Sequence, residues 1–474
     1  MPDVASIPLG VPLTAEQARR VYSQGEEAVV FYLMQLSALA AHKPASEQPA
    51  PSTPSGMIPA YQKPPAPGSK LGRTKRPGAK PGHVGSRRPP PTRIDRRQTH
   101  RAEQCPDCGG PLNRCRQRRT RYVEEIPEDV RVEVTEHTVH RDWCPQCRKR
   151  VEPTVPDALP GRRLGHRVIV LSAWLHYALG NTLSQVQAVF QHHLQTTITP
   201  GGFLAMWFQL QELLYPWYEQ IQREALASAV LHADETGWRV QGKTWWLWCF
   251  SSPDVTYYMI DRCRGGPALR KFFSEEYDGV LVSDFWGAYN AIAAGARQKC
   301  LVHLLRDLKF VEQYKHPGPG WAEFAKKLRR LIGDAVRLWK RPDVPEEEYR
   351  SKRARFDGRL QELLATPAQE VQVRRLHKRL RRHCKELFTF LDHDGVPFDN
   401  NHAERAIRPA VIIRKNSYAN RSERGADAQA VLMSIYRTLH QRGFAPLATI
   451  VSALKTYTLT GQLPPLPQKP AASG

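Results

Sequence analysis

What the chain lacks narrows its class first. Nowhere in its 474 residues is there an unbroken apolar run near the roughly 20 that a membrane-crossing helix needs, so no membrane partner is expected. The amino terminus shows no basic region followed by an apolar core, which predicts no secretory leader and a cytoplasmic location. Cysteine is sparse, nine in all, and in a reducing compartment paired cysteines serve as metal ligands rather than disulfides. Acid is short as well: 46 Asp and Glu stand against 69 Lys and Arg, a net charge of +23. That excess fits a polyanionic partner, with nucleic acid ahead of an anionic membrane surface.

The local shortage is sharpest between Lys70 and Arg101, where Asp95 is the sole acid. This stretch closes a linker over 44–99, rich in Pro, Ala, Ser and Gly, that cannot bury enough apolar surface to fold. A plain tether would not need the basic bias. Lys70, Arg73, Lys75, Arg76, Lys80, Arg87 and Arg88 therefore read as a clamp on the DNA backbone. Ahead of the linker, residues 1–43 hold one helix, Thr14 to His42, with a Thr14–Gln17 capping box and Gly25 in its middle. It either packs on its own protomer or joins chains together.

Residues 100–155 carry the strongest motif. Cys105-Pro-Asp-Cys108 and Cys144-Pro-Gln-Cys147 place two thiolate pairs for one closed, tetrahedral, structural Zn²⁺. Cys115, His137 and His140 are the competing ligands. Between the pairs, Arg131 to His140 alternates polar and β-branched residues and predicts a half-buried strand in an inserted hairpin. Residues 160–224 predict three helices, arranged either as a DNA-binding helix-turn-helix or as a plain bundle on the next domain.

That domain, 225–460, opens on Ala229 to Asp234, a short apolar strand ending in a carboxylate. A turn at Gln241-Gly242 and the β-rich runs T-W-W-L-W-C-F and V-T-Y-Y-M-I make it a meander. Trp238, Trp245, Trp246 and Trp248 read as core or strand-pairing residues. A fourth apolar run, Gly279 to Ser283, ends in Asp284. Glu404 follows in D-N-N-H-A-E-R, near the start of a helix capped by Asp399 or Asn400. Asp234 is preferred over Glu235, because neighbours on a strand face opposite ways. Three carboxylates in one cleft repel one another, and divalent cations relieve that repulsion. Oxygen-only ligation suits two Mg²⁺ or Mn²⁺ ions, which clamp both oxygens of an in-line phosphoryl transfer. Arg405, Arg408, Arg414 and Lys415 suit gripping phosphates around the cut. Cys300 and His303 read as weak metal ligands or as a buried pair supporting the site. Residues 304–391 form a helical insertion with a strongly basic segment, Arg374 to Arg382, and 461–474 read as a disordered tail.

H-A-D-E-T, V-S-D-F-W-G-A-Y-N, C-L-V-H-L-L-R-D-L and D-N-N-H-A-E-R-A-I-R-P with R-K-N-S after it resemble the bacterial transposases of the insertion sequence 66 family. The resemblance covers most of the chain, and the N-N-x-A-E-R block is its most specific part. It implies an α/β catalytic domain of ribonuclease-H type with a helical insertion, a small zinc-ribbon-like module and amino-terminal helical segments. It further implies Asp234, Asp284 and Glu404 as the DDE acids, with Cys300, His303, Asn400 and Asn401 in support. The expected function is two-metal cleavage of element ends and strand transfer into target DNA. The expected partners are double-stranded DNA, other copies of the chain, at least a dimer on DNA, and accessory proteins of the element. A nuclease that cuts without joining, and a DNA-binding regulator derived from a transposase, are the alternatives.

Overall fold

In the computed structural model, residues 15–23, isolated positions between 25 and 33, 91–113 and 120–469 are described, other than 275, 316 and 342. The Thr14 cap, the clamp residues Lys70 to Arg88 and Cys115 lie outside them. Helix α1 spans Ala15–Tyr22 and gives way to a turn, with Gly25 at φ +97°. One continuous helix from Thr14 to His42 is therefore corrected: the chain breaks at the glycine, which takes up a left-handed conformation without strain.

The chain divides into two units. The smaller holds 64–136 and 187–198. The run 131–136 was expected to begin a strand, but 131–140 carries no regular structure and Val134 is 95% exposed. Alternation alone does not make a strand. It needs a partner and an apolar layer to cover one face, and here the single backbone bond from Val132 N to Leu194 O is no ladder.

The larger unit holds His137–Val186 and everything from Thr199 onward. Its first hairpin pairs β1 (Asp142–Cys144) with β2 (Lys149–Val151). Helices α2 (His166–Ala173), α3 (Leu183–Ala188, running on into the smaller unit) and α4 (Pro200–Leu226) follow. The first two continue into π-helical turns, Trp174–Ala178 and Val189–His193. Thr199 caps α4 by accepting from Gly202 N at 3.1 Å. Its buried face, including Phe203, Trp207, Leu214 and Trp217, is spent on this unit's core. Of the two arrangements expected for these helices, α4 takes the scaffold's part.

Five strands form the central sheet: β3 (Val230–Val240), β4 (Lys243–Ser251), β5 (Thr256–Asp261), β6 (Glu276–Ser283) and β7 (Ala293–Lys299). Helix α5 (Gly266–Phe273) links β5 to β6. The order is β5-β4-β3-β6-β7, an antiparallel meander joined through β3 to a parallel half. Gln241 and Gly242 both take positive φ, +52° and +73°, as a two-residue hairpin turn requires. At the bulge between β6 and β7, a Cβ on Gly295 would collide with the Asp278 carbonyl, so glycine permits the approach.

Beyond the sheet come α6 (Leu301–Tyr314), α7 (Gly320–Trp339), α8 (Glu346–Ala365), α9 (Val371–Arg382), α10 (Asn401–Ser417), α11 (Glu423–Gln441) and α12 (Pro446–Thr460). The helical insertion is not a detached appendage. One apolar cluster runs from Val282 through Leu304 and Leu308 to Leu328, Leu360 and Leu380. On the opposite edge, β5 has no strand on its outer side, and hydroxyls of α11 supply the missing acceptors. Tyr258 N donates to Ser434 Oγ at 2.9 Å and Thr256 N to Thr438 Oγ1 at 3.1 Å.

The disordered tail is corrected over its described part. Leu466 is 1% exposed, the Pro464 carbonyl accepts from Trp217 Nε1 at 2.6 Å, and the Pro467 carbonyl from Arg442 Nη1 at 2.6 Å. Proline removes donors but leaves carbonyls, and buried donors of α4 and α11's end claim them.

Candidate active site

Asp234 was expected at the end of its strand and is instead inside it. The apolar run stops there, but antiparallel pairing with β4 carries β3 on to Val240. The parallel pairing with β6 is what ends: its last partners are His232 and Val282. Asp234 and Asp284 each lie two residues further, so the two acids stand level where adjacent parallel strands part. Crevices at the carboxyl ends of parallel strands are where such sheets expose functional groups.

Asp234 Oδ1 accepts from the Glu235 amide at 3.0 Å. Burial, followed by the charges of Glu235, Asp284 and Glu404, pushes its carboxyl well above the usual range. Asp284 and Glu404 therefore both lie within electrostatic reach of Asp234. Asp284 is fixed differently: its Oδ1 accepts from Trp286 N at 2.8 Å, and its carbonyl from Lys299 Nζ at 3.0 Å. Lys299 is fully buried, its ammonium also donating to Ser283 Oγ at 3.0 Å, and burial pulls its pKa down.

Glu235 is wholly buried and compensated. Tyr289 donates to it at 2.6 Å and Arg264 at 2.9 Å, while the Arg264 guanidinium stacks between Trp246 and Trp286 at 4.3 and 4.0 Å. Burial first, then Asp284's charge, raises its pKa to about 7. Trp238 and Trp248 are buried, and Trp245 lies under Arg262.

Glu404 sits in the first turn of α10, its amide bonded to the Asn400 carbonyl at 3.1 Å. Asn400 occupies the cap position, yet its side chain does not cap: Asp399 accepts from Asn401 N at 3.0 Å in its place. Asn400 is 1% exposed and grips β3, donating to the Ala233 carbonyl at 2.8 Å and meeting His232 Nδ1 at 3.1 Å. Its amide donates to Cys300 Sγ at 3.2 Å. The loop before α10 is thereby pinned to the strand bearing Asp234. Cys300 is buried, its thiol pushed up to about 12 by burial. His303 faces Glu404 at 3.7 Å, and Arg306 donates to the same Glu404 oxygen at 2.8 Å. Among the described residues, no three His, Cys, Asp or Glu side chains are grouped closely enough to hold an ion; Glu404 is turned to Arg306.

Of the cations expected at phosphates, Arg405 and Arg408 are exposed, Arg405 bonding the Asn401 carbonyl at 3.2 Å, and Lys415 is exposed. Arg414 donates to Thr236 Oγ1 at 3.0 Å and to the Gly237 carbonyl at 2.5 Å, so part of its fork holds β3. Arg306, Lys299 and Asp307 went unnoticed in the sequence. Arg306 alone carried a signal, one helical turn from His303.

The family model described as Transposase IS66 family matches residues 161–428. The chain belongs to that family. A second model, the zinc-finger binding domain of transposase IS66, matches residues 102–148. Similar proteins of Sinorhizobium fredii (strain NBRC 101917 / NGR234) include the uncharacterized protein y4hP, 22% identical over 74% of this chain and 70% of its own length. Another, y4qI, is 24% identical over 69% and 66%, respectively. No helix among the described residues of this IS66-family chain is long and apolar enough to cross a membrane.

The zinc-finger region carries two knuckles of one design. In the first, Cys105 N donates to the Gly110 carbonyl at 2.9 Å and Gly109 N to the Cys105 carbonyl at 2.8 Å. In the second, Cys147 N donates to Cys144 Sγ at 3.4 Å. Each ends in a left-handed residue, Gly109 at φ +71° and Arg148 at φ +50°. Amides aimed at sulfur, from Asp107 and Cys108 in one knuckle and mainly Cys147 in the other, lower the pKa of Cys105 and Cys144. Cys105 and Cys144 are thus disposed to bind as thiolates, which fits zinc.

Proposed function

We propose that the chain is a DDE transposase with a ribonuclease-H-like catalytic domain, in which Asp234, Asp284 and Glu404 are the catalytic acids. The observation that carries this is the level placement of Asp234 and Asp284 on parting parallel strands, with the Glu404 helix pinned beside them by Asn400. The all-oxygen donor set, with Asp234 destabilised by its neighbours' charges, fits two Mg²⁺ or Mn²⁺ ions. Such ions, when bound, supply Lewis acidity at the scissile phosphate and its entering and leaving oxygens.

The chain's own residues do the positioning. Lys299 holds the Asp284 backbone, Asn400 sets α10 against β3, and Arg306 with His303 holds Glu404 ready at the rim. Arg405 and Arg408 lie exposed on the same helix, able to take phosphates on either side of the cut. Cleavage of an element end frees a 3′-hydroxyl, which attacks target DNA by the same in-line displacement. The four cysteines hold one structural Zn²⁺, and the zinc module with the basic linker binds DNA in a homo-oligomer. Pre-cut duplex ends bearing a free 3′-hydroxyl provide the test. Joining with Mg²⁺ or Mn²⁺ is expected from the natural chain and not from Asp284→Ala; joining retained by that variant rejects the assignment, and cutting without joining leaves a nuclease.

A further inference from the structure

Helix α9 is divided by its burial into two faces. Val373, Leu376 and Leu380 enter the apolar cluster of the insertion and His377 is buried on the same side, whereas Arg374, Arg375, Lys378, Arg381 and Arg382 are exposed. Charge on a helix face is by itself only a solvated surface. This helix, however, is fastened to the active site. Arg379 bridges to Asp307 of α6, one turn beyond His303 and next to Arg306, which holds Glu404. The Arg379 guanidinium lies 5.3 Å from the ring of Phe285, and His383, just past α9, meets that ring edge-on at 5.5 Å. Phe285 is the residue after Asp284. The second acid is thus one contact, and the third acid two contacts, from α9's inner side.

The outer side is left with unneutralised charge. Arg381 donates to the Leu364 carbonyl at 2.6 Å, but no ion pair engages Arg374, Arg375, Lys378 or Arg382 among the described residues. On α8, by contrast, Arg350 and Lys352 are matched to Glu346 and Glu348. Arg374, Lys378 and Arg382 recur every fourth residue and so form one stripe, rising about 12 Å along the helix. Duplex DNA carries roughly seven phosphate charges over that length.

We propose that the outer face of α9 is a second DNA-binding surface, a sequence-independent grip on the backbone of the duplex lying at the catalytic acids. The proposal rests on the catalytic reading only for where the DNA is cut, not for whether this face binds it. Contacts of this kind contribute affinity and salt dependence without base choice.

The test uses the full chain and a short duplex of arbitrary sequence. In the variant Arg374→Gln, Arg375→Gln, Lys378→Gln, Arg382→Gln, the slope of log binding constant against log salt should become shallower by about 2 to 4, near 0.9 for each phosphate no longer neutralised. Arg350→Gln with Lys352→Gln should leave it unchanged. Thermal unfolding of both variants checks folding, and Arg374→Glu alone repeats the measurement with least disturbance. An unchanged slope in the folded quadruple variant overturns the proposal, as does an equal drop in the α8 control. Loss of binding to anionic vesicles with DNA binding intact overturns it too. Metal-dependent nicking by the natural chain is scored separately: nicking with an unchanged slope removes this surface alone, and a reduced slope without nicking removes only the catalytic reading.

Discussion

The central sheet and the cysteine knuckles place their chemical groups by opposite means. Around Asp234 and Glu404, position comes from burial: Asn400 is 1% exposed, Lys299 and Glu235 are fully buried, and their side chains are held by hydrogen bonds to the Ala233 and Asp284 carbonyls and the Tyr289 hydroxyl. Around the cysteines it comes from backbone turns, with Cys108 and Cys147 exposed and Val134 left 95% in solvent. The arrangement at the sheet is therefore assembled by folding, whereas a cysteine-bearing region this short of core is of the kind that a bound metal completes.

Chelation should separate the two most strongly. Structural zinc contributes about 10 kcal/mol or more to such modules, so a chelator should expose 100–155 to protease while the main thermal transition of the sheet stays in place. One zinc per chain is expected by metal analysis, and fewer in Cys144→Ser. A sheet that unfolds together with the module would erase the contrast. Next in size, Asp234→Asn should reduce metal-dependent cleavage roughly a thousandfold, about 4 kcal/mol on the barrier, with duplex binding retained in a filter assay.

Smaller effects sharpen the buried side of the comparison. Arg442, 3% exposed, is paired with Glu224. Burial pushes Glu224 up, but hydrogen bonds from Gln468 and Gln220 and the Arg442 charge outweigh it and leave its pKa lowered. A lowered carboxylate contributes stability in full above the ordinary glutamate range and loses it as pH falls through the folded value. Glu224→Gln should cost about 3 kcal/mol at neutral pH, by stranding a buried cation. Its deficit against the natural chain should shrink below about pH 4, as read by denaturant unfolding at both pH values. Last, Asn400→Ala should cost about 2 kcal/mol by leaving the Ala233 carbonyl and His232 without their partner. It should also slow cleavage more than it weakens DNA binding; equal losses in both would make Asn400 merely structural.

Much of this was legible in the sequence, and the omissions have physical reasons. The meander announced itself through aromatic and β-branched runs around Gln241-Gly242. Strand β7, A-A-G-A-R-Q-K, gave no such signal, because a small-residue strand at the sheet edge is set by its neighbour and not by its own propensity. At 131–140 the error ran the other way: alternation was present, but no partner strand was. Asp234 was seen as an acid at a boundary, which it is, though the boundary belongs to the parallel pairing and not to the strand. Lys299 was invisible because its importance lies in a partner 15 residues away, and Arg306, though one helical turn from His303, gave no sign of its partner 98 residues away.

The matched register of β3 and β6 also governs how this protein can diverge. Because side chains alternate along a strand, adding a single residue between Val280 and Ser283 would preserve Asp284 in the sequence while turning its carboxylate toward the opposite side of the sheet. Loops such as 252–255 can lengthen far more freely. In the short run before Asp284, one added residue turns the carboxylate over and two carry it about 7 Å past Asp234, so the chemistry is inherited through the exact length of one strand.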